Sequence, residues 1–150
     1  MSETTITRLT PRHPALPEYA RLRGCMWEID PTLNKEEVEQ IVADADDWAV
    51  FIASAEGGAG VGFIEVWLRE YAEGASSSPV GYVEGWYVEP DFRCRGIGRI
   101  LIEAGENWAR SRGCTEMASD TEVDNAGSRH AHQHLGYTEV SRNVHFLKEL

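Results

Sequence analysis

Lysine is nearly missing from this chain. Lys35 and Lys148 are the two present, the rest of the 14 basic residues are arginine, and 25 acidic residues bring the formal charge to −11. A protein that grips a polyanion needs a broad basic face to displace counterions from phosphates, so this balance argues against nucleic acid as a partner. Cysteine is scarce as well. Cys25, Cys94 and Cys114 are odd in number, far apart and form no CxxC pair. That argues against a disulfide frame or a zinc site and suits reduced thiols in a cytoplasm. No stretch approaches about eighteen uninterrupted apolar residues, so no membrane span is expected. The opening MSETTITRLTPRHP lacks the basic-then-apolar layout of a signal peptide, and the expected location is cytoplasmic.

What is present fits a soluble globular domain. The chain has 150 residues, 42% hydrophobic and 26% charged, enough to bury most of the surface its unfolded form exposes. No repeat or linker divides it, so 1–150 reads as a single domain. Its acidity either attracts a cationic partner or only aids solubility, and composition does not choose between them.

Periodicity gives a coarse map. TTITRL (4–9) alternates like a strand. EYARLRGCMWE carries Tyr19, Leu22 and Met26 at helical spacing, and NKEEVEQIVADAD (34–46) reads as a second helix capped by Asn34. WAVFIASA (48–55), the turn EGGAG and VGFIEVWLREY (61–71) form a hairpin pattern. VGYVEGWYVE (80–89) is an apolar, aromatic strand. A helix over 97–112 has a stripe of Ile97, Ile100, Leu101, Ala104 and Trp108. CTEMASD (114–120) is a short strand, DNAGSRHAHQHLG (124–136) a helix ended by Gly136, and YTEV and NVHFLKEL two closing strands. The order β-α-α-β-β-β-α-β-α-β-β predicts a mixed α/β sheet.

Between the central strand and its helix lies RCRGIGR (93–99), a local concentration of positive charge in an acidic chain. Glycine lets backbone N–H groups converge on an anion, the helix dipole adds attraction, and arginine offers a forked pair of donors to phosphate oxygens. The spacing is neither GxxxxGK[ST] nor GxGxxG. It is R-x-x-G-x-G, Arg93 to Gly98, preceded by Pro90 and an aromatic strand.

With that turn the sequence resembles the GCN5-related N-acetyltransferases, in which such a turn holds the pyrophosphate of acetyl-coenzyme A. Strand and helix order, the Asn after the fifth strand and the HxxLGY ending extend the likeness over nearly the whole chain. The resemblance implies the GNAT fold: a mixed central sheet, α/β (α+β) in class, with helices on both faces. It implies acetyl-CoA as co-substrate and no metal. By position, the backbone of Trp86, Tyr87 and Val88 would pair with the pantetheine arm. Arg93, Cys94, Arg95, Gly96, Ile97, Gly98 and Arg99 would hold the pyrophosphate, and Asn125 would reach the arm or the leaving sulfur.

Further short motifs are similar to those of the aminoglycoside 6′-N-acetyltransferases: Ser77-Ser78-Pro79-Val80, Glu84-Gly85, Met117-Ala118-Ser119-Asp120, the LRxxxW segment ending at Trp27, and Tyr71. The likeness implies a polycationic aminosugar as acceptor. The residues suit one on their own chemistry. Asp120 ends a strand on the cleft side of an open α/β sheet, and Glu84 interrupts an apolar strand, where an unpaired carboxylate is costly. Asp120 otherwise reads as a helix cap and Glu84 as half of a structural ion pair. Trp27 and Tyr71 are sugar-stacking surfaces or simple core. The implied roles are Asp120 as base for the arriving ammonium, Glu84 assisting, and the Val88 N–H polarising the acetyl carbonyl.

Where many relatives have a tyrosine as the acid for the leaving thiolate, this chain has His132, leaving His132 or a water for that task. Relatives also place an acidic residue in the last strands near the acceptor. Ser141 takes that place here, with Glu139 nearby. His130, His132 and His134 do not share one helix face and read as no metal site, and Cys94 reads as a turn residue. The same acidic cleft would suit a polyamine or another small cationic amine, and a non-catalytic acyl-CoA-binding module is the reading from another class. NVHFLKEL is apolar enough to pair across a homodimer interface.

Overall fold

The computed structural model describes residues 3–150, so Met1 and Ser2 of the opening stretch lie outside the described residues. Five strands form one sheet in sequence order: β1 (Thr5–Arg8), β2 (Trp48–Ser54), β3 (Gly60–Arg69), β4 (Val80–Val88) and β5 (Met117–Ser119). Neighbours from β1 to β4 pair antiparallel, whereas β4 and β5 run parallel. The sheet is therefore mixed, with helices on both faces as expected.

Alternation along the strands assigns the two faces. Ala49 and Ala53 of β2 and Ile64 and Val66 of β3 pack with Leu101, Ile102 and Trp108 of helix α3 (Ile97–Ser111). Val50, Ile52 and Phe63 point the other way. They meet Tyr19 and Leu22 of α1 (Leu16–Met26) and Val38 and Val42 of α2 (Pro31–Ala43). Each fully buried Leu, Ile or Phe contributes about 1.5–3 kcal/mol by leaving water. The helical stripes differ from expectation at their ends. Met26 and Ile100 are exposed, whereas Arg23 on α1 and Ile102 on α3 are buried.

Helix α2 begins at Pro31, three residues earlier than the periodicity predicts. Asp30 caps it, accepting from the N–H groups of Thr32 and Leu33 at 2.9 and 3.2 Å. A proline already fixed at helical φ, behind an Asp, is a stronger start than Asn34. Asn34 is buried instead and donates to the Ala20 carbonyl of α1 at 2.8 Å.

β4 carries a bulge. Glu65 pairs with Gly85 and Val66 with Val83, so β3 advances one residue while β4 advances two and Glu84 is left over. The pairing of β4 with β5 is short, from Gly81–Met117 to Val83–Ser119. Beyond it, residues 84–88 of β4 have no strand on that side.

The expected closing strands are absent. After α4 (Ala126–His134) the chain has no regular structure to Leu150. Val144, Phe146, Leu147 and Leu150 are exposed. A strand is stable only against a partner edge, and β5, at three residues, offers little edge within one chain.

Candidate active site

The donor side is built from backbone. Glu89 N–H donates to Val61 at 2.8 Å, and the Tyr87 carbonyl lies 2.8 Å from where a Cβ on Gly62 would stand. Both therefore face β3. By alternation Trp86 and Val88 present their N–H and C=O groups to the open side where β5 has ended. The Val88 carbonyl there accepts from Arg93 Nε at 2.8 Å.

The predicted anion turn follows at once. Pro90–Phe92 form a 3₁₀ turn, Cys94 has φ 60° and Gly96, the residue before α3, has φ 84°. A left-handed residue next to a right-handed one, as Gly96 is to helical Ile97, turns successive N–H groups toward one concavity. The first N–H groups of α3, 15 residues long, also lack intrahelical acceptors. Arg93, Arg95 and Arg99 are exposed around this turn, Arg93 over the Tyr87 ring at 5.6 Å and Arg95 over Phe92 at 5.2 Å. Cys94 is exposed, and Ile97 is buried as the first anchor of α3. Trp86 Nε1 donates to the Gly98 carbonyl at 3.2 Å, and a Cβ on Gly98 would come within 3.1 Å of the indole. The turn thus fits a pyrophosphate in shape, charge and free donors.

On the other face the acidic residues come together. Glu84, turned by the bulge, pairs with Arg69 of β3 at 2.7 Å. The Arg69 guanidinium lies 3.5 Å over the Tyr82 ring, and the Tyr82 hydroxyl donates to Asp120 at 2.5 Å. Glu84 and Asp120 are therefore two ends of one network, at the point where β4 and β5 part. Burial pushes the Glu84 carboxyl above the usual range, Arg69 opposes this, and the charge of Asp120 adds to it. Burial chiefly, then Asp120, also raises the Tyr82 hydroxyl. Asp120 is exposed and caps no helix; α4 is capped by Asn125, whose Oδ1 accepts from Ser128 N–H at 3.0 Å.

A cavity of about 470 Å³ opens in front of Glu84, with Trp27 and Trp48 among its walls and Glu65 and Arg23 at its base. Trp27 reaches β4 so closely that a Cβ on Gly85 would stand 2.5 Å from its ring. The Arg23 guanidinium lies 5.3 Å over that ring and 2.6 Å from Glu37. Arg23 Nε is 3.3 Å from buried Glu65 as an ion pair, and Glu65 accepts a hydrogen bond from the Tyr19 hydroxyl. Burial raises the Glu65 carboxyl, and Arg23 and Tyr19 counter it.

Tyr71 lines a different cavity, of about 900 Å³, together with Trp67 and Arg112. The stacked Trp48–Trp67 rings, 5.5 Å apart, and the Arg69–Glu84 pair form the wall between the two. Trp27 and Tyr71 are thus not brought together. Glu139 and Ser141 lie in the exposed C-terminal segment, Glu139 held by Arg129 at 2.9 Å and Arg142 at 2.5 Å.

His132 sits inside, edge-on to Trp86 and Tyr137 at 5.3 and 5.8 Å. His130 and His134 stack on each other at 6.1 Å. Three members of this wall escaped the sequence, Glu65, Arg69 and Tyr82, while Arg23 stands in the LRxxxW segment that pointed to Trp27. Glu65 carried the signal that marked Glu84, a carboxylate within an apolar strand. Arg69 and Tyr82 carried none.

A turn shaped and charged for an anion on one side of a strand splay, and carboxylates on the other, are the arrangement of an enzyme that acts on two substrates of opposite charge. The chain belongs to the acetyltransferase (GNAT) family, whose model matches residues 14–137. An aminoglycoside N(6′)-acetyltransferase type 1 from Stenotrophomonas maltophilia is 44% identical to it, over 99% of this chain and 95% of its own length. That of Klebsiella aerogenes is 49% identical over 68% of this chain and 67% of its own. Among solved structures, AAC(6′)-Iy in complex with the bisubstrate analog CoA-S-monomethyl-acetylneamine has a TM-score of 0.92 at 36% identity. It covers 99% of this chain and 100% of that one. AAC(6′)-Ih from Acinetobacter baumannii has a TM-score of 0.90 at 30% identity, over 99% of both chains.

Proposed function

We propose that this protein transfers the acetyl group of acetyl-CoA to the 6′-amino group of aminoglycosides, and so confers resistance to them. The observation that carries the reading is the network Glu84–Arg69–Tyr82–Asp120, which places a carboxylate of β4 and one just past the end of β5 on one face where those strands part. The full-length likeness to aminoglycoside N(6′)-acetyltransferases supports the same acceptor. The aminoglycoside enters the cavity against Trp27 as a polycation. Asp120 takes a proton from the 6′-ammonium, Glu84 orients it, and the free amine attacks the acetyl carbonyl. The Val88 N–H, unclaimed by β3, binds the developing oxyanion. The S–C bond breaks as the N–C bond forms, and the coenzyme A thiolate leaves. Trp86 and Tyr87 lie along the pantetheine arm, residues 93–99 hold the pyrophosphate, and Asn125 flanks the arm.

The working form is a homodimer acting in the cytoplasm. The support for a dimer is the exposed apolar segment Val144 to Leu150, which would add strands to the partner's sheet and bring Glu139 and Ser141 to an acceptor site. Ending the chain after Tyr137 is expected to give a monomer by light scattering. A truncated protein that remains a dimer would overturn that assembly.

Purified protein given acetyl-CoA with kanamycin, spermine or a peptide tests the activity by thiol release, with the acetyl position located by NMR. Acetylation of kanamycin at the 6′ nitrogen is the expected result. Transfer to spermine alone would reassign the enzyme to polyamines, and no transfer at all would leave an acyl-CoA-binding module.

A further inference from the structure

Ser119 is the last residue of β5 and the last to pair with β4, opposite Val83. Its neighbour Asp120 meets Tyr82 on the α1/α2 face. Successive side chains in extended backbone point to opposite sides, and Ser119 accordingly turns to the α3/α4 face, where its Oγ lies 2.7 Å from His132 Nε2. The other ring nitrogen, Nδ1, lies 2.7 Å from the Ser128 carbonyl oxygen. Ser128 Oγ is farther from Nδ1, at 3.3 Å; the nearer carbonyl only accepts, so Nδ1 carries a proton, and Nε2 is the nitrogen that exchanges one with Ser119. The ring is held edge-on between Trp86 and Tyr137. Tyr137 has its own partner, donating to Glu106 at 3.1 Å, and burial raises its hydroxyl further above the usual range.

We infer that Ser119 is the proton donor to the departing thiolate and that His132 is the positioning residue that resupplies it. The inference rests on the acetyl transfer proposed above. As the S–C bond breaks, the sulfur takes the hydroxyl proton of Ser119. The Ser119 oxygen takes a proton from His132 Nε2, leaving the ring its proton on Nδ1. Solvent returns a proton to Nε2 of the half-buried ring, and Asp120 returns the ammonium's proton to solvent on the opposite face. Two consecutive residues, Ser119 and Asp120, thus handle the two proton transfers from the two sides of the sheet.

The test uses the full-length protein and the best amine acceptor of wild type. Ser119→Ala is expected to lower kcat about a hundredfold, within the usual range for general acid catalysis. KM for acetyl-CoA and the calorimetric Kd for coenzyme A should stay within about threefold, since the interaction is made in the transition state. Ser119→Thr keeps the hydroxyl and should recover most of kcat. Ser119→Ala with His132→Gln should be no slower than Ser119→Ala alone, because the two act as one unit. Nitrogen NMR of the free protein should show Nδ1 of His132 protonated and an Nε2 resonance that moves in Ser119→Ala. A Ser119→Ala enzyme within about threefold of wild-type kcat, a loss confined to coenzyme A binding, or additive effects in the double variant would each overturn the relay. If wild type acetylates spermine and no aminoglycoside, the acceptor assignment falls and the relay is measured on spermine. If wild type releases no thiol with any amine, both fall.

Discussion

Asp120 and Glu84 are both carboxylates, yet their surroundings give them different work. Asp120 is exposed and receives one hydrogen bond, from Tyr82. Asp120→Asn keeps that contact and removes the base, so kcat should fall about a hundredfold or more while the enzyme still binds coenzyme A. Glu84 is half-buried, and burial holds its proton more tightly than in the unfolded chain, against the pull of Arg69. Its contribution to folding is therefore complete below the unfolded pKa and lost as pH rises through the higher folded one. The charged form needed for the acceptor is present only above that folded value. The acid limb of the rate profile should have its midpoint above the ordinary carboxylate range and should move to lower pH in Glu84→Gln. That variant should melt no lower than wild type at neutral pH while binding the amine more weakly. A midpoint at ordinary carboxylate pH, or a less stable Glu84→Gln, would show that Glu84 is chiefly structural.

At the scale of elements, legibility followed local chemistry. The R-x-x-G-x-G turn declared itself because φ 84° at Gly96 and the free donors of a helix start are demanded of particular residues in one short stretch. Helix α3 was legible for a related reason, since its apolar stripe repeats over 15 residues. The bulge was not legible: an apolar strand containing a Glu looks the same in sequence whether or not a residue is left unpaired. The start of α2 was misread because Asp30-Pro31 acts through capping and not through periodicity. Arg69 and Tyr82 were invisible because their role depends on which strand lies next to which. Gly85 tests how closely elements must approach. Its Cβ position is 2.5 Å from the Trp27 ring, so Gly85→Ala should push that ring off β4 at a cost of about 1–3 kcal/mol. Thermal melting reads that cost, and KM for the aminoglycoside should rise more than KM for acetyl-CoA. Equal effects on both would remove Trp27 from the acceptor wall.

For the whole molecule, the formal charge of −11 and the basic turn act on different substrates. Long-range attraction between an acidic surface and a polycation is screened as salt shortens the Debye length to about 8 Å at physiological ionic strength. Raising salt should therefore lower kcat/KM for an aminoglycoside several-fold, whereas the local contacts that hold acetyl-CoA should change less. Initial rates across a salt series measure both. A parallel fall for the two substrates would reduce the acidity to an aid to solubility.

The leftover residue in β4 works as a frameshift. On its C-terminal side, Trp86 and Val88 face α3 while Gly85 and Tyr87 face α1. On its N-terminal side the parity is reversed, with Val83 in the α3 core and Tyr82 opposite. A regular ladder through all nine residues of β4 would not simply tidy the pairing, because one half of the strand would then offer its core side chains to the wrong layer. The position of Glu84 is fixed from both ends by hydrophobic packing that takes no part in the chemistry.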